Sequence, residues 1–277
     1  MKFIIMGSGT SGGVPVIGCG CPVCNSADER DKRMRSSLYI KGNNGERIVI
    51  DTGPEFRLQA LRCGIKYLDL VLLTHSHADH LHGLDDLRQL SRISPVQVYG
   101  NEQTISDIRE RFAYIWRKTQ RGGGKPRIDL HTVDGEFSFG NLVITPVPVK
   151  HGKMDVLGWK IRENSNNAGS ETGGAEAAYI TDCSFISGAS VDLLKNISCL
   201  VLGALRRTPH ETHFSFDEAL ETVKRIASPA LIQVFFTHIA DEHSYTEINE
   251  YCSRWLEKNY MREITVESAY DGLEIDI

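Results

Sequence analysis

An α/β fold is predicted for this chain of 277 residues by three observations. Short apolar runs of strand length alternate with segments of helical periodicity, without a strict repeat. Four of those runs stop on a His or Asp, which is the placement expected of buried strands whose ends build a site. The composition, 41% hydrophobic and 24% charged with a formal net charge of −5, suits one large soluble domain, so 1–277 is read as a single domain.

The apolar run Lys2-Phe3-Ile4-Ile5-Met6 predicts a first strand at 2–6, closed by the glycine-rich Gly7-Ser8-Gly9-Thr10-Ser11-Gly12-Gly13-Val14-Pro15. Strands at 37–41 and 47–51 flank Asn43-Asn44-Gly45, a hairpin turn. The second of them runs into Asp51-Thr52-Gly53, which by itself reads as a strand-ending turn, and a helix at 54–63 follows. A strand at 68–73 delivers Thr74-His75 and is followed by a helix at 81–90. Strand 96–99, helix 101–117 and strand 128–133 come next. Strand 142–148 leads to Lys150-His151, strand 156–162 follows, and strand 177–181 leads to Thr181-Asp182 ahead of a helix at 187–195. After strand 199–203, Ser215 is an N-cap with Glu218 at the third helical position, which opens a helix at 215–227. Strand 231–236 delivers Thr237-His238, a helix fills 244–259, and a last strand lies at 273–277. Two polar stretches, 117–127 and 163–176, supply no apolar residues for a core; the first is basic and glycine-rich and reads equally as a contact for an anionic substrate and as a solvated linker.

Chemistry concentrates in Thr74-His75-Ser76-His77-Ala78-Asp79-His80, three imidazoles and one carboxylate directly behind a buried strand. That density of nitrogen and carboxylate donors reads as a metal site. Strand ends at one edge of a sheet or sandwich converge in space, so His75, His151, Asp182 and His238 can meet although the sequence separates them widely.

The His-x-His-x-Asp-His run, the later His, the Asp and the last His resemble, in that order, the metallo-β-lactamase fold superfamily of hydrolases. Periodicity alone leaves a doubly wound sheet and a sandwich both open; the resemblance implies the sandwich, in four αββα layers with metals at one edge. It also implies that His75, His77 and His151 hold one divalent cation, that Asp79, His80 and His238 hold a second, and that Asp182 bridges both. Such a pair lowers the pKa of a bridging water and supplies hydroxide as the nucleophile. Asp51 matches the superfamily's Asp that hydrogen-bonds near the metal loop. Redox di-iron members usually carry Glu where this chain has His77, so hydrolysis is the expected chemistry, with Zn2+ or Mn2+ as the ions and Fe2+ also matching the donors.

Gly7 to Gly12 contains a literal G-x-G-x-x-G, but Pro15 and the glycine- and cysteine-rich residues behind it offer no helix to receive a pyrophosphate, so a compact loop is expected instead of a dinucleotide site. Cys19-Gly20-Cys21-Pro22-Val23-Cys24 sets three thiols close enough to share one ion, and zinc suits them, which makes about 18–25 a structural zinc loop. Together with the glycine loop and the metal motifs, this insertion resembles the phosphodiesterase branch of the superfamily typified by the cyclic ribose phosphate phosphodiesterases, the PhnP-like enzymes. In that branch a His three residues beyond the last catalytic His completes the zinc site. Here that position is Asp241 and the nearest imidazole is His243; His243 is expected as the fourth ligand because an imidazole completes a Cys3His tetrahedron more often than a carboxylate, and Asp241 is the alternative. The zinc would then clamp the N-terminal loop to the segment carrying His238.

His213-Phe214-Ser215 resembles the His-x-Ser motif of the same branch, in which the His lies near the scissile phosphate and donates a proton to the leaving oxygen or binds a phosphate oxygen. Asp79 and His213 are the catalytic residues the resemblance implies. His210 competes for the second role, Arg206 and Arg207 have phosphate-binding chemistry but read as a solvated pair, and His82 and His131 carry no motif.

No apolar run approaches the ~20 residues of a membrane span, and the first strand is too short for a signal-peptide core, so a cytoplasmic protein is expected. An odd number of cysteines agrees with a reducing compartment, with Cys63, Cys183, Cys199 and Cys252 read as buried apolar residues. The function expected is hydrolysis of a small cyclic or nucleotide-like phosphodiester by metal-bound hydroxide. The alternatives are a nuclease of the transfer-RNA 3′-processing type, a thioester or lactam hydrolase, and a non-catalytic metal-binding protein. A net charge of −5 disfavours a large nucleic acid as partner, and a homodimer is compatible with the sequence.

Overall fold

Fourteen strand-forming segments among the described residues pair into two sheets of seven. The computed structural model describes residues 1–118, 124–164 and 174–277; residues 119–123 and 165–173, inside the two polar stretches, lie outside the described part. The first sheet is built from β1 (Lys2–Gly7), β2 (Ser37–Lys41), β3 (Arg47–Ile50), β4 (Leu70–Leu72), β5 (Val96–Gly100) and β6 (Ile128–Thr132), side by side in that order. The second follows as β7 (Phe137–Phe139), β8 (Leu142–His151), β9 (Met154–Glu163), β10 (Glu176–Ile180), β11 (Cys199–Gly203), β12 (Gln233–Thr237) and β13 (Thr265–Ser268), and β14 (Glu274–Asp276) returns to the first sheet beside β1. Both sheets open as antiparallel meanders and continue as parallel strands: β1 to β3 and β7 to β10 pair antiparallel, then β3 to β6 and β10 to β13 pair parallel.

The period-two alternation of strand side chains puts each buried strand between two cores. Phe3, Ile5, Leu38, Ile48 and Leu72 face Ile144, Trp159, Tyr179 and Val201 in the layer between the sheets. Their neighbours Ile4, Met6, Val49, Val71 and Val98 face outward onto α1 (Phe56–Arg62), α2 (Ala78–Leu81), α3 (Leu87–Leu90) and α4 (Glu102–Arg111). On the far side, Ala178, Ile180, Leu200, Leu202 and Phe236 face α5 (Gly188–Leu193), α6 (Phe216–Ile226) and α7 (Tyr245–Lys258). Helices therefore cover both outer faces, which is the four-layer αββα sandwich of the metallo-β-lactamase fold.

Ser215 and Ser244 each open a helix through a reciprocal capping box with Glu218 and Glu247, as the sequence indicates for the first of them. The helix predicted at 81–90 is broken instead into α2, a 3-10 turn at Leu84–Asp86 and α3. Gly83 explains the break: its N–H donates to Thr52 O at 2.8 Å, and a Cβ there would collide with Gly53 O, so the chain bends to pack this turn on the Asp51-Thr52-Gly53 loop. Two strands escape sequence reading. β7 is three residues long, and β13 buries only Val266 and Ser268 on an edge. Among the described residues no helix is long and apolar enough to cross a membrane.

Candidate metal centre

The chain leaves β3, β4, β8, β10 and β12 at the same edge of the sandwich, and each exit delivers a polar side chain: Asp51, His75, His151, Asp182 and His238. Three of these, Asp51 (φ 63°), Asp182 (φ 45°) and His238 (φ 58°), have left-handed backbones, and Tyr260 is the one other non-glycine residue of that kind among the described residues. Each such conformation costs about 1–3 kcal/mol, and the concentration of three at one edge marks strain kept for the sake of side-chain direction.

Two donor sets result. His75, His77, His151 and Asp182 place one ligand atom each within 4.8 Å of one another, and so do Asp79, His80, Asp182 and His238. Asp182 belongs to both. His80 Nε2 lies 3.1 Å from both Asp79 Oδ2 and Asp182 Oδ2, His75 Nε2 is 3.5 Å from Asp182 Oδ2, and His238 Nδ1 is 2.7 Å from Asp182 Oδ1. All seven donors expected from the sequence are thus brought together, and His77, the exposed one, marks the open side.

The imidazoles are oriented by their outer nitrogens. Thr74 Oγ1 sits 3.0 Å from His75 Nδ1, Asp51 Oδ2 2.7 Å from His80 Nδ1, and the Thr212 carbonyl 2.7 Å from His151 Nδ1. These contacts put the proton on Nδ1 and turn the Nε2 lone pair inward. The Nε2 atom of His75 is buried without a hydrogen-bond partner, a loss of about 1–3 kcal/mol unless a cation takes the lone pair. Burial, reinforced by His80, holds His75 well below the usual histidine range, so its ring is neutral and able to ligate. Burial opposes charge on His80 too, but the carboxylates of Asp182 and Asp51 outweigh it and draw a proton to that ring; a bound cation would take the place of that proton as counter-charge to Asp182. The residues present therefore fit two divalent ions.

Asp51 has the supporting position expected of it. Its carboxylate accepts Thr74 N–H and Thr74 Oγ1, each at 2.8 Å, besides His80, and so ties β3 to the metal loop. A second support was not legible in the sequence. Gln103, Asp107 and Arg111 line one face of α4 at i, i+4 and i+8; Asp107 accepts the Ser76 hydroxyl, Arg111 donates to the Ser76 carbonyl, and Gln103 Nε2 donates to Asp107 at 2.8 Å. Their four-residue spacing was the only signal, and nothing in it tells that the face meets the loop between His75 and His77.

His213 stands beside both donor sets and in neither. Its ring stacks on His238 at 4.8 Å with planes 15° apart, lies 4.6 Å from the His151 ring and 5.2 Å from His210. Burial, with His238 adding to it, pushes its pKa down to about 3, so the ring is neutral and presents one N–H and one lone pair. Arg206 pairs with Glu242 at 3.0 Å and Arg207 lies over Tyr251, which leaves both engaged away from the donor sets. His82 packs edge-on against Phe112, and His131 Nε2 meets Gln97 at 2.7 Å. Cys183, Cys199 and Cys252 are buried in the cores, and Cys63 is half-buried.

The thiol loop closes on Asp241, not on His243. Asp241 Oδ2 lies 3.1, 3.5 and 3.3 Å from the Sγ atoms of Cys19, Cys21 and Cys24, and the four form a third donor set. His243, the ligand expected first, is turned away and packs its ring 5.7 Å from Phe216. Arg33 is the physical reason: fully buried, it donates to Ala240 O at 2.8 Å and to His243 O at 3.1 Å, and this grip fixes a turn that points Asp241 at the thiols. The glycine loop runs alongside, with Thr10 N–H on Ile239 O, Ile239 N–H on Ser8 O and Thr10 Oγ1 3.2 Å from His238 Nε2. No helix follows it, so it serves as a cover over His238.

Comparison with known proteins agrees with this geometry. A family model described as a beta-lactamase superfamily domain matches residues 46–239. A Porphyromonas gingivalis protein named octanoyltransferase is 37% identical over 277 aligned residues; the match takes in 99% of this chain but 51% of that protein, so the chain spans about half the length of this curated relative. Among solved structures, a diphosphatase of the PhnP family is 34% identical with a TM-score of 0.82, over 100% of this chain and 97% of that one. Zn(2+)-bound PqqB from Methylobacterium extorquens, 18% identical with a TM-score of 0.69 over the full length of both chains, shares the fold.

Proposed function

The chain belongs to the beta-lactamase superfamily, and from that premise we propose that it is a binuclear metal-dependent phosphodiesterase acting on small cyclic or nucleotide-like phosphodiesters. The observation that carries the reading is the sharing of Asp182 by two complete donor sets, one of three imidazoles and one of two imidazoles with a second carboxylate. Two ions held there supply Lewis acidity toward a phosphoryl oxygen and make a water acidic enough to react near neutral pH. Asp182 belongs to both sets and would lie between the two ions, and the buried neutral ring of His75 would offer its lone pair without repelling a cation. Asp79 is largely buried at the second set, its side chain 13% exposed. His213, neutral and next to His151 and His238, offers an N–H to a phosphate oxygen or to the departing oxygen.

Phosphorus chemistry is supported further by the PhnP-family relative, a diphosphatase, and this makes a diphosphate the second substrate class to assay. The octanoyltransferase name belongs to a protein of which about half lies outside the match, so an acyl thioester is the contrasting substrate rather than the expected one. The three thiols and Asp241 suit one structural zinc, and thiols kept reduced for it accord with a cytoplasmic location. The deciding assay offers bis-p-nitrophenyl phosphate, a nucleoside diphosphate and an octanoyl thioester to protein loaded with Mn2+ or Zn2+. Turnover of the diester that disappears in Asp182→Asn supports the proposal; turnover of the thioester alone overturns it.

A further inference from the structure

On the outer helical layer of the first sheet, α3 and the segment entering β6 enclose a recess of about 340 Å³ lined by Arg88, Arg92, Lys125 and Arg127, together with Ser91 and Gly124. None of these residues belongs to a metal-binding donor set. In a chain of net charge −5, four cations converge here, and among the described residues none of them is paired with a carboxylate, in contrast to Arg111, which pairs with Asp107. Asp85, the acid on that side, is taken by the Tyr114 hydroxyl, and Asp86 feels the Arg88 charge without forming an ion pair with it.

The recess is built rather than accidental. Arg127 N–H donates to Ser91 Oγ at 2.9 Å, Arg127 Nη1 to Arg92 O at 3.2 Å and Arg88 Nη1 to Gly124 O at 3.4 Å, so the two segments are stitched together by the residues that line it. A Cβ on Gly124 would stand 3.1 Å from Arg88 Cδ; the glycine leaves room for that side chain. Lys125 Nζ is committed to the carbonyls of Tyr114 and Arg117, but each guanidinium carries five N–H donors and spends few of them on protein atoms. Forked donors of this kind match the oxygens of a phosphate, and the volume suits a small molecule rather than a long chain.

We propose that this recess binds a phosphate-bearing small anion, held by Arg88, Arg92 and Arg127 and separate from the metal centre. The site does not depend on which bond the metal centre cleaves. Its test is calorimetric titration of the metal-loaded full chain with inorganic phosphate, at constant ionic strength with chloride as the balancing anion, for the unaltered protein, Arg92→Gln and Arg127→Gln. The expected result is a saturable binding event that weakens roughly tenfold or more in each variant, while metal content, thermal unfolding and diester turnover stay as they were. A binding event that persists unchanged in both variants assigns phosphate to the metals and overturns the proposal, as does the absence of any saturable event. So does arginine-dependent capture of a single-stranded RNA oligomer where phosphate itself does not bind, since the face would then serve a nucleic acid.

Discussion

Asp51 and His80 form the contact on which the metal edge is oriented: Asp51 Oδ2 accepts from His80 Nδ1 at 2.7 Å, both side chains being fully buried, while the same carboxylate takes the backbone and hydroxyl of Thr74. Replacement of Asp51 by Ala removes the acceptor that fixes the His80 tautomer. The expected outcome is a loss of roughly 10- to 100-fold in affinity for one of the two ions, read by competition with a chromophoric chelator. Thr74→Val, which keeps the shape and one of the two contacts to Asp51, is expected to lose less.

The α4 stripe makes a second prediction about the same loop. Asp107→Ala leaves the Ser76 hydroxyl without its acceptor and weakens binding at the His75 and His77 set, on the order of tenfold by the same titration. Asp107→Asn keeps an acceptor for Ser76 and is expected to recover most of that loss. Equal affinity in Asp107→Ala and the unaltered protein would mean that the loop holds its geometry without α4.

His213→Ala is expected to lower kcat for a phosphodiester by about 100-fold with metal content unchanged, because the ring packs against His151 and His238 and belongs to neither donor set. Metal content by mass spectrometry and kcat on the same preparation separate the two effects; a drop in activity that tracks lost metal would reassign His213 to a packing role.

The turn held by Arg33 decides the zinc loop. Asp241→Ala is expected to lose one zinc per chain in native mass spectrometry and to open the N-terminal loop to protease, whereas His243→Ala keeps its zinc. Asp241→His, which restores the imidazole of a Cys3His set, is expected to retain zinc.

Asp271 gives the fold a pH dependence of its own. Burial raises its carboxyl from 3.8 to about 6, although Met34 N–H and the Ser8 N–H and hydroxyl all donate to it. An acid whose folded-state pKa is raised contributes stability that is present in full below pH 3.8 and is lost as pH rises through about 6. A shift of that size corresponds to about 3 kcal/mol. Asp271→Asn cannot ionise, so the difference in Tm between the unaltered protein and this variant should move against the unaltered protein between pH 4.5 and 7, an interval that holds about 2 of those 3 kcal/mol, by ~4–8 °C. A difference that stays flat with pH would show that Asp271 is ionised throughout.

Four of the seven donors, His75, His151, Asp182 and His238, were legible because each stands where an apolar strand stops, and His77, Asp79 and His80 because they share one short motif with His75 behind the run Leu68 to Leu73. The capping box at Ser215 and Glu218 was legible for a similar local reason. Features that depend on what meets what were not. The left-handed backbones at Asp51, Asp182 and His238 fall on residues with no intrinsic preference strong enough to betray them. The bend at Gly83 exists because Gly53 lies across it, and the choice of Asp241 over His243 rests on Arg33, whose buried guanidinium reaches more than two hundred positions along the chain. β13 is an edge strand with little apolar signal, and it was missed for that reason.

Metal-edge anomalous diffraction from crystals of the metal-loaded protein tests the central claim most directly. Two adjacent peaks with the Asp182 carboxylate between them, one among His75, His77 and His151 and one among Asp79, His80 and His238, are the predicted result. A single peak at the cysteines, with no density between those seven side chains, would contradict it.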